Sequence, residues 1–356
     1  MKIAIRVDGS LFIGLGHVVR SLALGNAFRR AGHEVVFFSR FEPGISRLLS
    51  QGFPVEAFQG GLPDGPGKEY EPACDGEIVA KLLTGRGFDC LVTDSYRVDA
   101  AYFSTVRTVV PVSVCVDDLN RFPVDVDGII NGNINAESLG YEVWPAKAKR
   151  WLGCRYNLLR EEFRELPLLP TGAVARQVLL TGGGGDSGPV LAFLAQSLLD
   201  SAALSALRLQ IVAPARSLAD SDLTFLLERF PERLQVQRDV KDMVPLMRQC
   251  DLAISAGGTT LYELCAAGVP RIAYILADNQ RDIVEAMARQ GQVVNLGTVA
   301  LLKPATVVGE TAAMAADREK RERMRSMGRE LVDGRGADRV VTGITELVAV
   351  GRRREI

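Results

Sequence analysis

The stretch Cys250–Gln280, CDLAISAGGTTLYELCAAGVPRIAYILADNQ, decides the fold class. It opens on the apolar run Leu252-Ala253-Ile254 and crosses a loop of small residues, Ser255-Ala256-Gly257-Gly258-Thr259. Thr260–Ala267 then reads as a helix, Gly268-Val269-Pro270 ends it, and Arg271–Ile275 reads as a second strand. Strand, glycine loop, helix and strand in that order form the unit of a doubly wound α/β sheet. Glycine lets backbone approach a ligand closely, and the unpaired amides at a helix start favour a phosphate. Ala256, Gly257, Gly258, Thr259 and Thr260 are therefore candidates for a nucleotide phosphate. Glu263, one turn into the helix, would reach ribose hydroxyls. Asn279 and Gln280 follow the next strand, where open α/β sheets carry ligand loops.

The same grammar opens the chain. Lys2–Val7 is a strand, Asp8–Leu15 a loop, Gly16-His17 the start of a helix running to about Ala31, and Glu34–Ser39 the next strand. Val18 and Leu22 mark the helix's apolar side, and Arg20, Arg29 and Arg30 read as its polar surface. The dinucleotide fingerprint G-x-G-x-x-G is missing, because Gly14-Leu15-Gly16 runs on into His17-Val18-Val19. Strands at Cys90–Thr93, Val112–Val116 and Gly128–Ile130 end in Asp94-Ser95-Tyr96, Asp117-Asp118 and Asn131. Polar groups are thus delivered to the edge where His17 follows the first strand. Asp94, Tyr96, Asp118 and Asn131 together suit a sugar, and His17 suits a general base. His33, at the far end of that helix, reads as structural.

Glu161–Thr171, charged and holding two prolines, reads as an interdomain linker. A second sheet restarts at Val178–Thr181, followed by four glycines, Gly182–Gly185, and Asp186-Ser187-Gly188. Glycine carries a high ordering cost, so such a run points to close backbone approach to a ligand. Strands at Leu207–Val212, Leu234–Val236 and Val293–Leu296 complete the alternation. The expected organisation is one Rossmann-like domain over 1–160, a second over 172–330, and a terminal helical segment, 331–356, packing back on the first.

Composition narrows the function classes. Forty-two basic against 43 acidic side chains leave a net charge of −1, which gives no field to attract nucleic acid. No apolar run reaches the ~20 residues of a membrane span, and MKIAIRVDGS reads as a first strand and not a signal peptide. The six cysteines form no C-x-x-C pair and sit largely in apolar runs, as in a reducing cytoplasm. Two histidines exclude a histidine-rich metal site. Asp125-Val126-Asp127 has the D-x-D form of some metal-dependent sugar-nucleotide transferases, but it precedes a strand, at the wrong end of the sheet for a ligand. No cofactor is expected.

Four segments resemble one family in order and spacing over nearly the whole chain. Ile13–Phe28, IGLGHVVRSLALGNAF, resembles the opening of the UDP-sugar hydrolases of pseudaminic acid synthesis. Cys115–Leu119 resembles their IDDL segment, Asp251–Gln280 their DLAIGAAGSTSWE…ADNQ stretch, and Asp333–Val341 their DG-x-GA-x-RV motif. That family includes spore-coat polysaccharide proteins and is similar to the lipid-linked muramyl GlcNAc transferases. The resemblance implies a GT-B fold, two Rossmann-like domains with the ligand in the cleft between them. It implies a cytoplasmic, metal-independent, inverting hydrolase of UDP-2,4-diacetamido-2,4,6-trideoxy-β-L-altropyranose. His17 would be the base, with Asp8, Gly14, Gly16, Tyr96, Asp118, Asn131 and Asn279 on the sugar side. Gly184, Gly185, Ala256–Thr260, Glu263 and Gln280 would hold UDP. Leu15 replaces the family's threonine, and Gly184-Gly185-Asp186-Ser187 its Gly-Gly-Ser-Asp, departures that bear on the sugar. The alternatives are a GT-B glycosyltransferase with the same donor and another acceptor, and a non-catalytic nucleotide-sugar binder.

Overall fold

Short β-branched runs alternating with helices have few stable arrangements, and this chain adopts two parallel sheets covered by helices. The computed structural model describes residues 1–10, 14–59, 72–145, 147–183, 187–213, 219–238 and 240–354. The chain divides into two units, Met1–Glu161 with Gly334–Ile356, and Glu162–Asp333.

In the first unit the elements run β1 (Lys2–Val7), α1 (Gly16–Arg30), β2 (Glu34–Ser39), α2 (Gly44–Ser50), β3 (Val55–Ala57), α3 (Pro72–Leu83), β4 (Cys90–Asp94), α4 (Ala100–Val106), β5 (Val112–Val116), β6 (Gly128–Asn131) and β7 (Lys149–Leu152). The sheet order is β3-β2-β1-β4-β5-β6-β7, with every pairing parallel. The winding reverses between β1 and β4. Strand-end loops diverge at such a switch point and leave room for a ligand. Ile3, Ile5 and Val7 fill one face of the sheet with Val18, Leu22 and Phe28 of α1.

The second unit runs β8 (Gln177–Thr181), α5 (Gly188–Leu199), β9 (Arg208–Ala213), α6 (Asp220–Arg229), β10 (Leu234–Arg238), α7 (Val244–Gln249), β11 (Leu252–Ala256), α8 (Thr260–Ala266), β12 (Arg271–Ile275), α9 (Arg281–Arg289), β13 (Val294–Thr298), α10 (Pro304–Ala316) and α11 (Arg318–Leu331). Its six parallel strands are ordered β10-β9-β8-β11-β12-β13. Here the switch point lies between β8 and β11. The final helix, α12 (Gly336–Arg354), belongs to the first unit. Its Ala337, Val340, Val341, Ile344 and Val348 join the α1 face of the core. Gly343 admits Trp151 of β7, since a Cβ there would lie 2.5 Å from the indole nitrogen.

Two strands are absent from the sequence reading, β3 and β7. Both are edge strands. β3 spans three residues with none buried, and β7 reads Lys-Arg-Trp-Leu, so neither carries an apolar run.

Candidate active site

At the switch point of the first unit, α1 begins just after the β1 loop and projects His17 toward the end of β4. Nδ1 of His17 lies 2.6 Å from Oδ1 of Asp94, whose side chain is fully buried. Arg20, one turn along α1, forks onto the same carboxylate, Nε to Oδ2 at 2.7 Å and Nη2 to Oδ1 at 2.6 Å. Its Nη1 reaches Oδ2 of Asp118 at 2.6 Å. The Ser21 hydroxyl donates to Oδ2 of Asp94 at 3.1 Å. Tyr96 donates its hydroxyl to Oδ2 of Asp118 at 2.6 Å, and its ring stands edge-on to His17 with centroids 4.4 Å apart. Arg121 donates to the Tyr96 carbonyl at 2.5 Å.

Charge accounts for the protonation of this group. Burial by itself would raise the Asp94 pKa, but the Arg20 guanidinium and His17 outweigh it and hold the carboxyl well below the usual range. Asp118 is likewise held low against its burial, mainly by Arg20. The Tyr96 phenol is pushed up by burial and then by the Asp118 carboxylate, so it keeps its proton. An ionised Asp94 has no hydrogen to give, so in the shorter contact, 2.6 Å, Nδ1 of His17 is the donor; Nη2 of Arg20 stands farther from the same nitrogen, at 3.0 Å. Nε2 is then the ring's free lone pair, the arrangement that makes a neutral histidine a base.

Several expected sugar ligands have protein partners for their polar atoms. Asp8 is 2% exposed and sits between two buried guanidinium groups, Arg6 at 2.6 Å and Arg40 at 2.9 Å. Asp118 spends Oδ2 on Arg20 and Tyr96 and Oδ1 on Asn133 at 2.9 Å. Asn131, fully buried, donates to the Tyr141 hydroxyl at 3.0 Å and accepts from the Asn133 amide at 3.0 Å. Their polar atoms are occupied because strand-end residues of adjacent parallel strands meet one another before they meet solvent. Arg20, read as polar surface, lies between two carboxylates. Gly14 has φ +80° and donates its amide to the Ser10 carbonyl at 2.8 Å, and Gly16 is exposed with open space at its Cβ position. Asp125 and Asp127 pair with Arg107 at 2.8 and 3.2 Å, and Asp125 also with Lys147 at 3.3 Å.

In the second unit, the loops at the switch point are those after β8 and β11. Gly184 and Gly185 lie outside the described residues. Ser187, before α5, is fully buried with its hydroxyl unpartnered. It fills the space of an absent Cβ at Gly182, which would come within 1.9 Å of its Oγ. After β11, Ala256 is buried and the Gly257 amide is spent on the Tyr274 carbonyl at 3.0 Å. Gly257 is compelled by packing, since a Cβ would sit 2.3 Å from Cγ2 of Val284 in α9. Gly258 has no such neighbour, Thr259 is exposed, Thr260 is half-buried and Glu263 is buried. The first-turn amides of a helix have no intrahelical acceptor, and among the described residues those of Gly258, Thr259 and Thr260 reach none. Asn279 is exposed; Gln280 is half-buried, its Oε1 accepting from the Leu276 amide at 3.0 Å.

No family model matches the chain. Over 293 residues it is 23% identical to the uncharacterized protein MJ1062 of Methanocaldococcus jannaschii, covering 79% of this chain and 57% of that protein. The chain thus spans less than two thirds of that relative's length. It is 22% identical over 352 residues to the spore coat polysaccharide biosynthesis protein SpsG of Bacillus subtilis strain 168, covering 98% of each. The crystal structure of Acinetobacter baumannii MurG superposes with a TM-score of 0.68 at 15% identity, covering 97% of this chain and all of that one. Two Rossmann-like parallel sheets in this order define the chain as a protein of the GT-B fold. Along its whole length it is similar to SpsG. Among the described residues no helix is long and apolar enough to cross a membrane.

Proposed function

We propose that the protein hydrolyses a UDP-linked 2,4-diacetamido-2,4,6-trideoxy sugar at its anomeric carbon, releasing UDP and free sugar for nonulosonate or surface-polysaccharide synthesis. The observation that carries this reading is the His17–Asp94 pair, which leaves Nε2 of His17 as a free base at the switch point. In the proposed step a water oxygen bonds to the anomeric carbon as the bond to UDP breaks. The water proton goes to Nε2, the bonding electrons leave with UDP, and the carbon inverts. A base in this role contributes about 10²–10⁴-fold. Asp94 would stabilise the imidazolium that forms.

UDP is a good leaving group and needs no strong acid. Its developing charge would be met by the amides of Gly258, Thr259 and Thr260, with Glu263 and Gln280 beside them and Gly184 and Gly185 contributing from the β8 loop. Tyr96 and Asn279 would contact the sugar. The placements of Asp8, Asp118 and Asn131 support a structural part for those three, with Asp118 aiming Tyr96. No metal takes part.

A second reading is a glycosyltransferase, and the GT-B likeness to MurG favours it. The same Nε2 would deprotonate an acceptor hydroxyl in place of water. The two are separated by incubating the protein with UDP-2,4-diacetamido-2,4,6-trideoxy-altrose, without acceptor or metal, and following products by NMR. Hydrolysis predicts UDP and free sugar in equal amounts, and none with His17→Ala. An intact substrate that reacts only when an acceptor is added would favour the transferase.

A further inference from the structure

The proton positions at the candidate site depend on a residue that is neither the base nor the sugar contact, Arg20, whose Nη2 stands 3.0 Å from Nδ1 of His17. Arg20 lies on the His17 face of α1, and its guanidinium is shared between Asp94 and Asp118. Each carboxylate in turn receives one hydrogen bond from a group of the site, His17 Nδ1 on Asp94 and the Tyr96 hydroxyl on Asp118, both at 2.6 Å. Ser21 and Asn133 take up further acceptor capacity on these two carboxylates. We propose that Arg20 is a positioning residue that keeps both carboxylates charged, and so commits His17 and Tyr96 to donate inward and present only lone pairs outward. The proposal rests on the hydrolase reading for its catalytic meaning, while its geometry stands apart from it.

The argument follows from what each group can donate. A carboxylate bridged to a guanidinium has no hydrogen, so His17 must supply one from Nδ1 and Tyr96 one from its hydroxyl. Without Arg20, two buried carboxylates would lack their shared counter-charge, and burial drives such a pair to take up protons. A protonated Asp94 would donate to Nδ1 and move the ring hydrogen to Nε2, which destroys the base. A protonated Asp118 would donate to the Tyr96 oxygen and turn its hydroxyl outward. The substrate side therefore meets two acceptors. At His17 the donor is the attacking water. At Tyr96 it is an N–H or O–H of the sugar. Arg20 thereby ties the base and the sugar contact to one charge.

The chain has only two histidines, which makes the test direct. The full-length protein labelled with ¹⁵N-histidine gives two imidazole patterns, and a His33→Gln variant assigns them. In the wild type at pH 8 His17 is expected as a single Nδ1–H tautomer, and a dominant Nε2–H form would overturn the proposal. In Arg20→Gln the Nε2–H form is expected to become the major species, with kcat falling about 10²-fold or more while KM changes less than threefold. Added guanidinium ion is expected to restore part of both the tautomer and the rate. Arg20→Lys, whose single ammonium cannot fork across both carboxylates, is the milder variant if the glutamine form does not fold, and the same change is expected in smaller measure. A folded Arg20 variant that keeps the pure Nδ1–H tautomer would overturn the proposal and leave Arg20 a structural ion pair. Because the tautomer is read without substrate, that result is distinct from failure of the hydrolase reading, which would show as no sugar-nucleotide turnover by a wild type with the expected tautomer.

Discussion

Asp94 is 77 residues from His17 in the chain and 2.6 Å from its Nδ1 in space. This pairing turns a histidine after a glycine loop into a base with one free nitrogen. An Asp94→Asn variant keeps the volume but offers a carboxamide N–H where the carboxylate accepts. The expected outcome is a kcat lower by about 10²–10⁴-fold with UDP affinity unchanged, measured by steady-state kinetics and calorimetry. A smaller loss would mean that His17 does not need the partner. The D-x-D carboxylates are already paired with Arg107 and Lys147, so treatment with a chelator is expected to leave the rate unaltered; a rate restored only by Mg²⁺ or Mn²⁺ would contradict this. His17 was legible as a candidate because a loop and a helix start put it at the strand edge. Its partnership was not, because local pattern places Asp94 on that edge without saying which neighbour it faces. Arg20 was misread for a related reason. A polar residue on an amphipathic helix normally faces solvent, but here the ends of β4 and β5 bring carboxylates to that face.

The elements that shape the loops depend on close approach. Gly257 was legible as a special position for ligand access, and the structure adds a packing reason, Val284 of α9, 2.3 Å from where a Cβ would stand. That reason is tertiary and leaves no local trace. Gly257→Ala is expected to destabilise the second unit by about 1–3 kcal/mol through overpacking. Urea unfolding should show the loss, and Val284→Ala in the same chain should recover most of it. Additive losses in the double variant would rule out the contact as the cause. The central strands were readable from their apolar runs; Lys2–Val7, Glu34–Ser39, Val112–Val116 and Arg271–Ile275 have the expected bounds, and the others differ by one or two residues at an end. Edge strands β3 and β7 were not, because an edge strand needs little burial and carries mixed side chains. Trp151 of β7 is instead recruited by glycines, Gly128 of β6 and Gly343 of α12, whose Cβ positions would each lie 2.5 Å from the indole.

At the scale of the whole molecule, three buried carboxylates held low by arginines bear on stability. Asp8, Asp94 and Asp118 all have pKa values below the ordinary range, each against its own burial and through Arg6, Arg40 or Arg20. A carboxyl whose folded pKa is depressed stabilises the fold above its unfolded value, about 3.9 for Asp. That contribution is lost as pH falls from there through the folded value. All three belong to the first unit. The first unit is therefore expected to unfold first on acidification below about pH 4. Both tryptophans, Trp144 and Trp151, are in the first unit, so their fluorescence reports it alone. The tryptophan transition should precede the full loss of helical circular dichroism; coincident transitions would contradict the assignment. Two doubly wound sheets were legible from the alternation of strands and helices, because that alternation admits few topologies. The central claim, attack by water at the anomeric carbon with His17 as base, is tested most directly by turnover of the diacetamido UDP-sugar in H₂¹⁸O. The account predicts one ¹⁸O on the anomeric carbon of the released sugar, none in UDP, and the inverted anomer formed first. Label in the phosphate, or no release without an added acceptor, would contradict it.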